Sequence, residues 1–264
     1  GIVNDNGSRV TISGNQVDDS GSEGIQNSGG GAYPVNITGN QVSISSGYGI
    51  FNDSGWTLNI SGNNVYDPGT IGIYNSGSWG VQISDNTIYS SGNEGIYNVG
   101  SYVTISTNTM YSIGGTGIYD AGNYTKIDGN GIHWPASYGI HHASGDMVTI
   151  SSNTLMGPGN YGIFVDGGSD TVYSPVVTGN MVYNPAGSVG IYPYYTQACT
   201  VSGNNIYAPT TYGIYCYESD YLSITGNNVM FGGSSVCIYL AGYNQFCTVT
   251  GNNTYSGPYG IYLS

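Results

Sequence analysis

All three histidines of the 264-residue chain, His133, His141 and His142, fall between positions 125 and 146, together with Lys126, Asp128 and Trp134. Lys126 is one of only two cations in the whole sequence. A base beside a cation suits proton abstraction next to a carboxylate, because the cation steadies the anion that forms. On that reading Lys126, Asp128, His133 and His141 are the working residues, and they must converge on one concave face. Their spacing argues against it. Lys126 and Asp128 are two apart and share one side of an extended segment. His133 and His141 belong to two later segments, and the adjacent His141 and His142 point to opposite faces. The competing reading, which the sequence favours, makes His133 and His141 substitutes for Tyr in recurring aromatic positions, and no catalytic residue is assigned.

Metal chemistry fares no better. His133 and His141 share an ion only if a turn folds them together. Asp166 and Asp170, in the turn VDGGSDTVYSP, could hold calcium with backbone carbonyls, but two carboxylates are few for that task. Neither a metal site nor a cofactor is expected.

The elements that would position these residues are set by an internal repeat of about 23 residues. One anchor is an Asn after a Ser/Thr-containing segment, recurring from Asn15 through Asn40, Asn63 and Asn86 to Asn252. The other is a Gly-Ile pair, recurring from Gly24 to Gly260, with Cys237-Ile238 in its place in the tenth unit. In eight of eleven units the following Ile stands ten positions after the Asn. Apolar residues stand three before the Asn (Ile60, Ile83, Ile105) and two after it (Val65, Ile88, Met110). This two-residue alternation of β-branched side chains predicts short strands, three per coil, stacked about 4.8 Å apart into parallel sheets around a narrow apolar core. An Asn at each bend tolerates left-handed backbone and can form a ladder of stacked amides. A Ser/Thr column two residues before it, broken at Asp128, predicts a hydroxyl ladder.

The segments VTISGNQV, LNISGNNVYDPGTIGIYNSG and LSITGNNV resemble the repeats of the right-handed parallel β-helix superfamily, which includes pectate lyases, alginate epimerases, phage tailspikes and many surface proteins. The resemblance covers the whole chain and implies an all-β solenoid of about eleven coils, a single domain over residues 1–264 without obvious caps. It also implies that a catalytic site would lie near the middle coil, here the histidine-bearing one. It does not choose a function, because this scaffold hosts unrelated activities.

Composition narrows the partners. Charged residues make up 6% of the chain, and the net charge is −13. Two cations cannot neutralise a phosphate backbone or hold an anionic membrane surface, which excludes nucleic acid. No run approaches the roughly 18 apolar residues of a membrane span. Gly1 in place of Met reads as a processed start, and the setting is expected to be extracellular or cell-surface. Asn36, Asn59 and Asn123 open Asn-x-Ser/Thr triplets and are candidate glycan attachment points. Cys199, Cys216, Cys237 and Cys247 all fall in the last three coils and allow two bridges in three connectivities by count, with buried free thiols the equal alternative; Cys199 and Cys247 share a column but stand two coils apart, beyond direct bridging.

Two columns of aromatic residues, one after the Gly-Ile isoleucine and one three after the Asn, are expected to face outward, where they suit sugar or protein contact. The chain opens and closes on the same kind of strand. Gly1, Ile2 and Val3 would pair with Gly260, Ile261, Tyr262 and Leu263 of a second copy, an open contact that generates a fibre. The expected function is therefore an extracellular structural or surface protein, a fibre or adhesin stalk that self-associates end to end. The alternatives are a polysaccharide lyase or epimerase, and a carbohydrate-binding module using the Tyr stripes.

Overall fold

A chain that alternates buried and exposed residues over three or four positions and then bends can build only short strands, and short strands are what the computed structural model contains. It describes residues 1–29, 34–53, 55–77, 79–168, 170–187, 189–230 and 236–264. Three parallel sheets run the length of the molecule. The first, of 12 strands from Ile2–Asp5 to Tyr259–Leu263, is made by the Gly-Ile segments. The second, of 11 strands from Thr11–Ser13 to Thr248–Thr250, precedes the Asn anchor; the third, of 11 strands from Gln16–Ser20 to Asn253–Tyr255, follows it. Each strand pairs in register with its equivalent one coil away, as in Ile83 with Ile60 and Ile105. Successive parallel strands joined this way wind right-handed.

The core is three stacked apolar columns. Ile60, Ile83, Ile105 and Ile127 from the second sheet are fully buried, as are Val65, Ile88 and Met110 from the third and Ile73, Ile96 and Ile118 from the first. Each such side chain contributes about 1.5–3 kcal/mol by leaving water. The Gly of the Gly-Ile pair is explained by space: a Cβ on Gly117 would lie 2.5 Å from Ile132 Cγ2 and 2.6 Å from the Gly139 carbonyl oxygen.

The anchor asparagines form an unbroken ladder inside the bend between the second and third sheets. Asn86 Nδ2 donates to Asn108 Oδ1 at 2.9 Å and to the Ile60 carbonyl at 2.9 Å, and its backbone N–H donates to the same Oδ1 at 3.0 Å. The left-handed residue is not the Asn, as expected from sequence, but the one before it: Gly62 (φ 64°), Asp85 (56°), Thr107 (53°) and Gly129 (66°). The Asn must turn its amide inward, so the chain reverses one step earlier, at an exposed position. The Ser/Thr column stands outward, and its side chains bond between coils at Thr178–Ser202 (3.0 Å) and Ser151–Asp128 (2.5 Å).

Candidate functional site

The three sheets separate the residues that composition groups together. Lys126 and Asp128 lie on the outer face of the second sheet, with Nζ 3.2 Å from Oδ2. Ser151 Oγ donates to Asp128 Oδ1 at 2.5 Å, and this bond, aided by Lys126, holds the Asp128 carboxyl below the usual range. His133 belongs to the third sheet and stacks on Tyr111 at 4.7 Å. His141 belongs to the first, edge-on to Tyr119 at 5.2 Å and stacked on Phe164 at 5.0 Å. Burial lowers the pKa of both imidazoles; at His141 the Asp166 carboxylate, 3.6 Å away, opposes the shift. Lys126, His133 and His141 thus stand on three different sheets and do not share one face. Asp166 is turned to His141 and to the Gly168 N–H (2.9 Å). Among the described residues no group of three or more His, Cys, Asp or Glu is placed to hold a metal.

His142 points inward, as its alternation with His141 requires, and completes a second interior ladder that sequence reading missed. Asn27, Asn52, Asn75 and Asn98 pass amide hydrogens from coil to coil at 2.6–2.7 Å, and the row ends at Asp120 and His142. The signal was present: each of these residues stands two after the isoleucine of a Gly-Ile pair.

The aromatic columns do face outward, but their rings stack on one another. Tyr74, Tyr97 and Tyr119 follow at 5.1 and 4.5 Å with planes 3° and 5° apart. Tyr66, Tyr89 and Tyr111 follow at 4.6 and 5.0 Å. A third stripe, Trp56, Trp79, Tyr102 and Tyr124, follows at 6.1, 4.9 and 4.6 Å. Neighbours cover the ring faces, so these columns present edges and hydroxyls to solvent. The glycan candidates Asn36 and Asn59 are register partners, half-exposed on the second sheet, and Asn123 is exposed in a turn.

The plain repeat gives way elsewhere, in the turns that close coils seven to ten. There the first-sheet strands lengthen to six residues (Val189–Tyr194, Tyr212–Tyr217, Val236–Ala241) and Val172–Tyr173 pairs with Thr196–Gln197 as a small extra sheet. Their flank forms an open groove of about 330 Å³ lined by Tyr173, Tyr195, Gln197, Glu218, Asp220 and Gln245, with Tyr243 at one edge. Its floor is pinned: Thr196 N–H and Oγ1–H donate to Ser219 Oγ at 3.1 and 3.0 Å, and Ser219 N–H donates to Asn244 Oδ1 at 2.9 Å. Gln245 N–H donates to Asp220 Oδ1 at 2.8 Å. The Glu218 carboxylate beside Tyr195 and Tyr217 raises both phenols above their ordinary range, so they remain hydroxyl donors. Two carboxylates, two carboxamides and three phenols around one groove can bind a polyhydroxylated ligand.

Among solved structures the chain is similar to the Dettilon tailspike protein (TM-score 0.66, 16% identity, 97% of this chain and 60% of that one). It is also similar to the A-module of the Azotobacter vinelandii mannuronan C-5 epimerase AlgE4 (0.64, 18%, 92% and 79%) and to an alginate lyase from Paenibacillus (0.57, 16%, 97% and 99%). At these identities the likeness is one of fold. The chain spans about 60% of the length of that tailspike. No curated protein matches the sequence. The model of the right-handed beta helix region family matches residues 1–124, 26–174 and 119–264, so the chain belongs to that family.

Proposed function

We propose that this protein binds carbohydrate at an extracellular or otherwise exposed surface, and that the groove beside Tyr195, Gln197 and Asp220 is where it does so. One observation carries the reading: the solenoid departs from its repeat where carboxamides, carboxylates and phenols gather, over a floor fixed by buried hydrogen bonds. The tailspike, epimerase and lyase neighbours support a carbohydrate-related role. A glycan array followed by calorimetry tests it. Tyr195→Ala and Gln197→Ala should each weaken the best ligand about tenfold, the scale of one lost contact. Binding that survives both changes, or an array without a ligand, overturns the groove. In a host that glycosylates, Asn36, Asn59 and Asn123 would carry the glycans.

A second reading is end-to-end self-association into a fibre or stalk through Gly1, Ile2 and Val3 against Gly260, Ile261, Tyr262 and Leu263. Val3, Ile261 and Leu263, exposed on the strands Ile2–Asp5 and Tyr259–Leu263, are the apolar groups such a contact would bury. Electron microscopy decides it: stacked copies repeat every 50–55 Å or so, eleven coils at strand spacing. Monomers at high concentration would remove this reading.

A further inference from the structure

We infer that the groove at coils seven to ten selects an amino-sugar oligomer with free, protonated amines, in preference to a neutral or a uronate glycan. The inference rests on the carbohydrate reading above and names the class of ligand for the same groove.

Its polar lining has one sign. Glu218 and Asp220 come from the same turn, two residues apart, and neither Lys126 nor Arg9 lines the groove. Lys126 sits beside Asp128 on the second sheet, four coils before the strand that follows Asp220. A uronate oligomer would bring a carboxylate on every sugar against two fixed carboxylates and a molecule of net charge −13. The same field attracts an ammonium and speeds its encounter.

The carboxylates are held in place. One Asp220 oxygen is occupied by the Gln245 N–H, and the Asp220 backbone N–H donates to the Thr196 carbonyl at 3.0 Å. The Glu218 backbone is set by its N–H, which donates to the Ala241 carbonyl at 3.2 Å, and its carboxylate accepts from the Tyr195 and Tyr217 hydroxyls. Preorganised acceptors lose little freedom on taking an ammonium. Around them Gln197 and Gln245 offer both donors and acceptors to sugar hydroxyls, and Tyr173, Tyr195 and Tyr243 offer phenols. Tyr243 is 83% exposed, so its ring is open to a cation or a sugar. A simple polycation would use the carboxylates alone; a glycan uses the whole lining.

Calorimetry with four hexamers tests this: glucosamine, N-acetylglucosamine, galacturonate and lysine. The glucosamine hexamer should bind at least about tenfold tighter than its acetylated form, and the galacturonate hexamer should bind more weakly than both. Glu218→Gln and Asp220→Asn should each weaken the glucosamine hexamer about tenfold and the acetylated hexamer clearly less, so that the preference for the free amine shrinks. Asp67→Asn, an equal loss of charge at an exposed site away from the groove, should change nothing. Acetylated or uronate oligomers binding as tightly overturn the amine selection while leaving the carbohydrate reading intact. Hexalysine binding as tightly, or Asp67→Asn weakening as much as Asp220→Asn, shows unspecific charge attraction and overturns it too. If no hexose oligomer binds, the carbohydrate reading itself fails.

Discussion

His142 Nδ1 lies 2.7 Å from Asp120 Oδ2, and neither side chain reaches solvent. The other Asp120 oxygen accepts from Asn98 Nδ2 at 2.6 Å, and His142 Nε2 lies 2.8 Å from the Gly145 carbonyl oxygen. Asp120 thus meets the amide ladder on one side and the imidazole on the other. Beyond the pair the same inward column turns apolar, with Val165 and then Pro193 in register. The interior changes character at this pair.

Removing one member should therefore be costly. Asp120→Ala strands both Asn98 Nδ2 and His142 Nδ1 in the core and is expected to lose about 3–5 kcal/mol. Asp120→Asn can accept from Asn98 and donate to His142, continuing the ladder, and should cost less than about 1.5 kcal/mol. Equilibrium denaturation compares the two; equal losses would mean the pair does not form.

The apolar and amide columns can be weighed in the same experiment. Ile105→Ala leaves a cavity between Ile83 and Ile127 and should cost about 2–5 kcal/mol. Asn108→Ala leaves the Asn86 amide, the Asn86 N–H and the Ile83 carbonyl without their partner, each worth about 1–3 kcal/mol when buried, so it should cost at least as much. Because each coil is supported only by its neighbours, hydrogen exchange should quicken in the adjoining coils as well. Unchanged unfolding midpoints would contradict the register.

Acid should weaken the solenoid from about pH 6.5 downward. Burial lowers the folded pKa of His133 and His141, so the unfolded chain takes up protons that the folded one refuses. Their contribution is complete above the unfolded value of about 6.5 and is lost as pH falls from there toward the folded values. His133→Tyr matches Tyr111 beneath it and should flatten part of that slope. Thermal midpoints between about pH 7 and 5 measure it; an unaltered slope in the variant rules His133 out.

The four thiols should differ sharply in reactivity. Cys199 and Cys216 are buried, and burial pushes the Cys199 thiol up to about 12 and Cys216 well above its usual range. Cys247, only partly buried, should react first with a thiol reagent in the native protein, the others only on unfolding. Mass spectrometry after timed alkylation shows the order.

Uronate chemistry should be absent. Lys126 and His141 lie on different sheets, so this base and this cation do not face one sugar. Incubation with polygalacturonate or alginate is expected to release no unsaturated uronate. Release by the wild type that disappears in Lys126→Ala would show that the two faces do cooperate.

What the sequence determined by itself was whatever repeats. The Asn and Gly-Ile anchors specified the coil, the three strands, the parallel stacking and the core columns through Ile60, Ile83 and Ile105, because a solenoid turns linear period directly into contact between equivalent positions. The same logic put His141 outward and His142 inward. The function of the His-bearing coil could not be read that way. Lys126, His133 and His141 are neighbours in composition, yet a solenoid sends successive segments to different faces, so nearness along the chain does not become nearness in space. Tertiary structure also decided the His142–Asp120 pair, which joins residues 22 apart, the left-handed step that precedes each anchor Asn, and the stacking that hides the ring faces. It alone gathered Tyr195, Glu218, Asp220 and Gln245, because they come from three successive turns where the repeat is irregular, and only the stacking of coils sets such turns side by side.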